Sequence, residues 1–305
     1  MTSGIAHSIN LNRHQFIPQP ANCQAIKDDL KFIEILAACY IHTEQYEKAK
    51  ELYQKLVEEN PEDADINNEL GVVYHRLNDF ESAIKYYRKT AEIDPKNEYA
   101  LFNVAIIEYE EEDYEAALKD LNDFINVHPN DADAFALLGD VYQSNGSYQL
   151  ALNAYNNSVK LDPNCMKAYS GRADYYYNQD LYEFALADIN EALKLDPKDA
   201  YNLSTKGDIY FLMDDFHFKD AEKWYLKSLE IEESSYTYFQ LASVYDYMDN
   251  FPQAVAAMKK SLALEETADQ FAEMDYYYSM NGEFENALKN INSAINLDSK
   301  DLNFL

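Results

Sequence analysis

Residues 70–95 read LGVVYHRLNDFESAIKYYRKTAEIDP, and the same pattern recurs along the chain at a fixed spacing. It returns as LGDVYQSNGSYQLALNAYNNSVKLDP at residues 138–163, with the glycine, the tyrosines and the closing proline in register. The closing prolines are 34 residues apart along the chain: Pro61, Pro95, Pro129, Pro163 and Pro197. A fixed period of this length indicates a repeat architecture in which each unit packs against its neighbours.

Each repeat is predicted to contain two amphipathic helices. Apolar residues at three- and four-residue spacing, such as Leu70, Val73 and Leu77, predict a helix with one buried face. The proline ends the repeat, since the residue before it resists helical dihedral angles. Between the two helices we expect turns with a left-handed residue at Asn78, Gly146, Asp180, Asp214, Asp249 and Gly282.

This pattern resembles the tetratricopeptide repeat, whose signature has Gly or Ala at position 8, an aromatic residue at 11, Ala at 20, an aromatic residue at 24 and Pro at 32. In residues 64–97 those positions hold Gly71, Tyr74, Ala83, Tyr87 and Pro95. The resemblance implies an all-α fold, a right-handed α–α superhelix (solenoid) of about eight helix-turn-helix units. We expect these units at 30–63, 64–97, 98–131, 132–165, 166–199, 200–234, 235–267 and 268–301, preceded by a partly flexible arm or leading helix at 1–29 and followed by a tail at 302–305.

The last three repeats depart from the pattern. Two extra residues between Gly207 and Ala221 predict an irregular loop at 214–220, and Asp275 replaces the small residue of position 8. Two interpretations stay open for the loop: decay within a tolerant array, or a contact point or hinge.

The charge balance limits the classes of partner. The sequence has 55 Asp and Glu residues against 25 Lys and Arg, a formal net charge of −30. Such a surface repels phosphate backbones and anionic membranes, so neither nucleic-acid binding nor membrane insertion is expected. The charge either serves solubility alone or indicates a basic partner. Three cysteines without metal or redox spacing favour a reducing compartment, and we predict a cytoplasmic protein.

The sequence carries no pattern of catalytic residues. Its six histidines are scattered, and neither a phosphate-cradling glycine loop nor a nucleophile motif occurs. We therefore predict a non-catalytic protein that needs no metal and no cofactor.

In the family that the chain resembles, first helices line the concave surface, and positions 2, 5, 9, 12 and 13 usually contact the ligand. Position 9 holds Asp140, Asp174 and Asp208 in three successive repeats. Carboxylates attract Lys and Arg, and aromatic faces add apolar and cation–π contacts. The alternative is that these aspartates are solvated or bond neighbouring backbone. The predicted partner-binding groove consists of Tyr99, Phe102, Tyr109, Asp133, Asp140, Asp174, Tyr177, Tyr201, Asp208, Phe211, Tyr236, Phe239, Asp246, Tyr247 and Tyr276.

The predicted function is that of an interaction scaffold or adaptor, which holds a basic or apolar segment of a partner protein in this groove. The family's clamp for chaperone C-terminal tails requires lysine at position 5 and asparagine at position 9, and neither is present. Two alternatives stay open. The chain is a structural subunit of a secretion, envelope or cell-cycle assembly that binds through its convex face or ends, or an accessory subunit of a separate enzyme.

Overall fold

The computed structural model describes residues 30–97, 99–213 and 217–291, and every regular element within these ranges is an α-helix. The predicted all-α class is therefore confirmed, while the right-handed twist and the number of repeats stay predictions. The predicted arm at 1–29, the tail at 302–305 and residues 214–216 of the irregular loop lie outside the described residues. The helices are α1 Leu30–His42, α2 Tyr46–Glu59, α3 Ala64–Arg76, α4 Phe80–Ile93, α5 Ala100–Glu110, α6 Tyr114–Val127, α7 Ala132–Ser144, α8 Tyr148–Leu161, α9 Met166–Asn178, α10 Tyr182–Leu195, α11 Ala200–Met213, α12 Phe218–Ile231, α13 Ser235–Tyr247, α14 Phe251–Leu264 and α15 Ala268–Met280, followed by helical residues 284–291.

The chain divides into two compact halves, Met1–Pro163 and Asn164–Leu305. In the N-terminal half, the described helices α1 to α8 form four consecutive pairs, and in the C-terminal half α9 to α14 form three more. Within each half, a first helix packs against the second helix of its own pair, and that second helix packs against the next first helix. Each half therefore has the layered helix-on-helix core of a repeat protein.

The two helices of a pair approach closely where glycine occupies position 8. The residue in contact is the tyrosine of position 24: a Cβ placed on Gly139 would lie 2.4 Å from the ring of Tyr155. The same geometry holds for Gly71 against Tyr87 and for Gly207 against Tyr225. Where position 24 holds the smaller Leu121, position 8 is Ala105, and both side chains are fully buried. Glycine at position 8 thus leaves room for the tyrosine ring in these three repeats, whereas in the first repeat Ala37 lies opposite Tyr53 and both are fully buried.

Left-handed residues lie in the turns between paired helices. The prediction is confirmed at Asn78, Gly146, Asp180, Asp249 and Gly282, which all have positive φ, and the predicted Asp214 lies outside the described residues. Glu44 and Glu112 adopt the same conformation, with φ of 56° and 62°. Sequence reasoning missed both, because glutamate has no intrinsic preference for this backbone region.

Part of the acidic charge is structural. Asp63, Asp79, Asp113 and Asp131 precede helices, and each side chain accepts a hydrogen bond from the backbone N–H three residues later. An N-cap carboxylate satisfies a free N–H and interacts favourably with the positive end of the helix dipole. These aspartates therefore stabilise helix starts, whatever the protein binds.

A buried hydroxyl group joins the two helices of several repeats. Ser158 Oγ donates to the carbonyl oxygen of Ala132 over 2.7 Å, and Ser228 Oγ donates to that of Ala200 over 2.8 Å. Thr90 and Ser261 make the equivalent bonds to residues 64 and 235. In each case the acceptor is the carbonyl group of the residue that begins the first helix, so the hydroxyl fixes the start of one helix against the end of its partner.

Candidate functional site

The predicted groove residues on α5 lie mostly within the packing of the N-terminal half. Tyr99 is the half-buried N-cap residue of α5. The ring of Phe102 lies 5.5 Å from that of Phe124, and Tyr109 Oη lies 3.3 Å from Ser144 Oγ. Phe102 and Tyr109 both pack against the buried core of this half. Much of their surface therefore contributes to stability.

The predicted aspartates of the N-terminal half lie on α7. Asp133 is in the first turn of this helix, and Asp140 is half-buried one turn before its end. The hydroxyl of Tyr155 donates to Asp140 Oδ1 over 2.7 Å. The carboxylate of Asp140 is thus bound to the tyrosine that also packs against Gly139.

In the C-terminal half, first helices of successive repeats are joined by tyrosine–aspartate pairs. Tyr201 on α11 donates a hydrogen bond to Asp174 on α9. Tyr276 on α15 donates to Asp246 on α13, where burial raises the pKa of the carboxyl group. The nearby carboxylate of Asp246 raises the pKa of Tyr276 in turn. Because 46% of Tyr201 and 44% of Tyr276 are exposed, each pair presents a ring to solvent beside a carboxylate.

Asp208 differs from the other two aspartates of position 9, because only 6% of it is exposed. Its Oδ1 accepts from the hydroxyl of Tyr225 over 2.6 Å and from Gln240 Nε2 over 3.3 Å, and Tyr236 is a further donor. Burial raises the pKa of Asp208 despite these hydrogen bonds. Burial and the Asp208 carboxylate raise the pKa of Tyr177 to about 12.

The three aspartates of position 9 are therefore not an equivalent acidic row. A tyrosine hydroxyl donates a hydrogen bond to each of the three. Asp208 holds its own repeat to the next one through Tyr225 and Tyr236, and Asp174 lies nearer to solvent. Binding by the predicted groove residues remains a prediction.

The remaining predicted residues are aromatic and surround the ends of α11 and α13. Tyr247 is 63% exposed, and its ring lies 5.3 Å from that of Phe211 and 5.2 Å from that of Phe218. Phe239 packs against the buried core of the C-terminal half. We call the accessible set of this half the tyrosine–aspartate surface; its members are Asp174, Tyr201, Tyr236, Asp246, Tyr247 and Tyr276.

Sequence reasoning missed Tyr225 and Gln240 as partners of the carboxylates. For the tyrosine a signal exists, since Tyr155 and Tyr225 both occur in repeats with aspartate at position 9. The converse case is Tyr87, whose repeat has Val72 at position 9 and whose buried hydroxyl has no hydrogen-bond partner. No comparable signal marks Gln240, because it comes from the next repeat.

Two further findings bear on the chemistry of the described part of the chain. None of its helices is long and apolar enough to cross a membrane. Nowhere within 30–97, 99–213 and 217–291 do three His, Cys, Asp or Glu side chains come together as metal ligands.

Comparison with known proteins assigns the chain to a family. Tetratricopeptide repeat profiles match residues 41–98, 102–152 and 136–200, and a further one matches residues 235–267. The chain belongs to the tetratricopeptide repeat family, as the sequence predicted. Repeats of this family generally serve as non-catalytic scaffolds for protein–protein interaction. A comparison with curated proteins gave no match.

Several solved structures share the fold. A tetratricopeptide repeat protein from Parabacteroides merdae ATCC 43184 superposes with a TM-score of 0.64 at 17% identity, covering 85% of this chain and 98% of that one. A chain of the APC/C hetero-tetramer Cut9–Hcn1 gives 0.66 at 18% identity, covering 86% of this chain and 50% of that one. MamA from Desulfovibrio magneticus RS-1 gives 0.50 at 19% identity, covering 57% of this chain and 99% of that one. At these identities the likeness concerns the fold alone.

Proposed function

We propose that this protein is a non-catalytic, cytoplasmic scaffold whose C-terminal half holds a basic and apolar segment of a partner protein. The segment lies against the tyrosine–aspartate surface. The observation that carries the proposal is the pairing of exposed tyrosine rings with carboxylates on successive first helices, at Tyr201 with Asp174 and at Tyr276 with Asp246.

The chemistry of these pairs fits a segment that contains Arg or Lys beside apolar residues. A carboxylate that accepts one tyrosine hydroxyl retains lone pairs for a guanidinium or ammonium group. The exposed tyrosine ring beside it offers an apolar face and a cation–π contact. A net charge of −30 adds long-range attraction for a basic segment and repulsion for an acidic one.

Asp208 has a positioning role in this proposal. Its buried carboxylate accepts from both Tyr225 and Tyr236, so it orients the ring of Tyr236, of which 44% is exposed. We assign direct contacts with the partner to the more accessible Asp174 and Asp246, and orientation of the tyrosines to Asp208.

The test measures, by fluorescence anisotropy, the binding of two labelled peptides to the full chain. One has the sequence Lys-Leu-Arg-Phe-Lys-Leu, and the other has Glu in place of Lys and Arg. We expect the basic peptide alone to bind, and Tyr201→Ala, Tyr276→Ala and Asp174→Asn each to weaken binding about three- to tenfold. Matched controls are Tyr148→Ala, equally exposed at 48% but on a second helix, and Asp123→Asn, also on a second helix.

Equal weakening by the controls would show general attraction to an acidic protein and would contradict the proposal. Equal binding of the two peptides would contradict it as well. The dependence on salt separates the contributions, since screening weakens the carboxylate term and leaves apolar contact with the tyrosines.

A further inference from the structure

The exception to the acidic character of the chain is a cluster of lysines around its single tryptophan. Trp224 lies on α12 and is half-buried. The ammonium groups of Lys206, Lys227 and Lys223 lie 3.8, 4.3 and 5.2 Å from its ring centroid. Three cations therefore converge on one indole in a protein with a formal net charge of −30.

Lys206 is unusual because it is 93% buried, with only 7% exposed. Its Nζ donates to Asn190 Oδ1 over 2.6 Å and faces the indole of Trp224. Within the described residues, none of the three lysines forms an ion pair with a carboxylate. Burial lowers the pKa of Lys206, and the positive charges of Lys227 and Lys223 lower it further. An ammonium group has three donors, so Lys206 retains capacity for an acceptor.

Lys206, Lys227 and Trp224 border an open pocket of about 770 Å³ between α10, α11 and α12. Lys194, Lys206 and Lys227 line it together with the apolar side chains of Leu203 and Ile231. Two acids also line it. Glu191 is paired with Lys194 over 2.5 Å, and Glu230 is exposed to solvent. The pocket thus combines uncompensated positive charge with an apolar and aromatic wall.

We propose that this pocket binds an acidic peptide segment of a partner protein, with a carboxylate against Lys206 and Lys227 and an apolar side chain against Trp224. The carboxylate supplies the counter-charge that Lys206 and Lys227 lack, and it accepts a charge-assisted hydrogen bond from the donor that Lys206 retains. An apolar neighbour in the segment completes the burial of the indole face.

A short acidic peptide fits better than a nucleic acid. A polyanion extends far beyond the pocket, and the rest of the protein, at −30, repels its remaining phosphates. A segment with a few carboxylates is neutralised locally, and repulsion beyond about 8–10 Å is screened at physiological salt. The pocket is formed by α10, α11 and α12 and has charge opposite to the tyrosine–aspartate surface, so this inference goes beyond the proposed function and does not depend on it.

The single tryptophan makes the test direct, because all tryptophan fluorescence of the full chain comes from the pocket. Hexaglutamate is titrated into the protein, with hexaglutamine, inorganic phosphate and oligothymidylate as parallel probes. We expect a saturable change in Trp224 emission with hexaglutamate, which weakens as NaCl increases, and none with hexaglutamine.

Substitutions identify the groups responsible. Lys227→Gln and Lys206→Met should each weaken hexaglutamate binding about tenfold, the loss expected for a charge-assisted hydrogen bond. Lys219→Gln is the matched control, because it removes the same charge from an exposed position on the same helix, outside the pocket. It should change the affinity less than about twofold. Because Lys206 is buried, the folding of Lys206→Met is compared with that of the wild type by circular dichroism. Lys227 is exposed, so Lys227→Gln gives a test that does not depend on core packing.

Four outcomes would overturn the inference. They are no saturable response to hexaglutamate, equal weakening by Lys219→Gln, tighter binding of oligothymidylate or phosphate than of hexaglutamate, or self-association of the protein that Lys227→Gln abolishes. The last outcome would identify a second copy of this acidic chain as the occupant. Each outcome leaves the peptide assay of the tyrosine–aspartate surface unaffected.

Discussion

Replacing Glu108 by Gln perturbs a buried charge cluster in the N-terminal half. Glu108 occupies position 11, where most other repeats have tyrosine. Its Oε1 accepts from Arg88 over 2.7 Å, and Arg88 also donates to Asp120 Oδ2 over 2.7 Å. Glu108 is 6% and Asp120 1% exposed, while Glu108 Oε2 is buried without a hydrogen-bond partner. Two carboxylates thus share one guanidinium group.

This arrangement makes the stability of the half depend on pH. Burial and, after it, the nearby Asp120 carboxylate raise the pKa of Glu108 from 4.5 to about 7, although the Arg88 guanidinium opposes the change. Between these values the folded state binds more protons than the unfolded state, so stability is greatest below pH 4.5 and decreases as the pH rises through 7. At about 1.4 kcal/mol per pKa unit the loss is at most about 3.5 kcal/mol. Because 44% of the Arg88 side chain is exposed, water reaches the cluster and reduces the desolvation of Glu108, so we expect about 2 kcal/mol.

Glu108→Gln should therefore stabilise the N-terminal half by about 1–2 kcal/mol at pH 8 and change little at pH 5. The assay is hydrogen exchange of the α5 and α6 amides in the full chain at both pH values, corrected for intrinsic exchange rates, because repeat proteins open locally and a single global transition is not assured. The control is Glu51→Gln, an exposed position in the middle of α2. Destabilisation at pH 8, or equal effects at pH 5 and pH 8, would refute this reasoning.

Three further substitutions test the packing. Gly139→Ala places a Cβ 2.4 Å from the ring of Tyr155 and should cost about 1–3 kcal/mol of stability in urea unfolding of the full chain. An unchanged midpoint would show that this helix pair accommodates alanine, as the first pair does with Ala37 opposite Tyr53. Glu112→Gly relieves the positive φ of 62° and should raise the thermal midpoint, corresponding to about 0.5–1 kcal/mol, whereas a lower midpoint would show that the side chain stabilises the turn. Arg172 donates to both carboxylate oxygens of Asp188, from Nε over 2.7 Å and from Nη2 over 2.8 Å. Arg172→Met should therefore lower the free energy of opening of α9 and α10, measured by hydrogen exchange, by about 3 kcal/mol. Adding Asp188→Asn should recover part of that loss, and no recovery would refute a charge-based cause.

The sequence predicts the elements of this fold well, because the repeat supplies the same information several times. Helices, turns and closing prolines recur at one spacing. Where the residues of one turn have a weak preference for the left-handed conformation, the equivalent turns of other repeats still indicate it. Glu44 and Glu112 illustrate this: packing of the paired helices imposes the left-handed conformation even where the side chain disfavours it.

The candidate site is less predictable from the sequence, because the burial of each side chain and its hydrogen-bond partners depend on neighbouring repeats. Periodicity places Asp174 and Asp208 at the same position of the repeat, yet Asp208 is buried by tyrosines from its own second helix and from the next repeat. The lysine pocket escaped sequence reasoning for a related reason. Lys206 and Trp224 belong to different helices, and the two extra residues before α12 shift the usual register between them.

The close approach of glycine to tyrosine in three of the helix pairs has a consequence for how such an array can change over time. In these three pairs an alanine in place of the glycine collides with the tyrosine ring at the present helix separation. The unit that can be exchanged, duplicated or grafted is therefore the complete helix pair, because it contains both Gly139 and Tyr155. Engineers who splice this chain should place junctions at the closing prolines, where both members of every pair stay on one side.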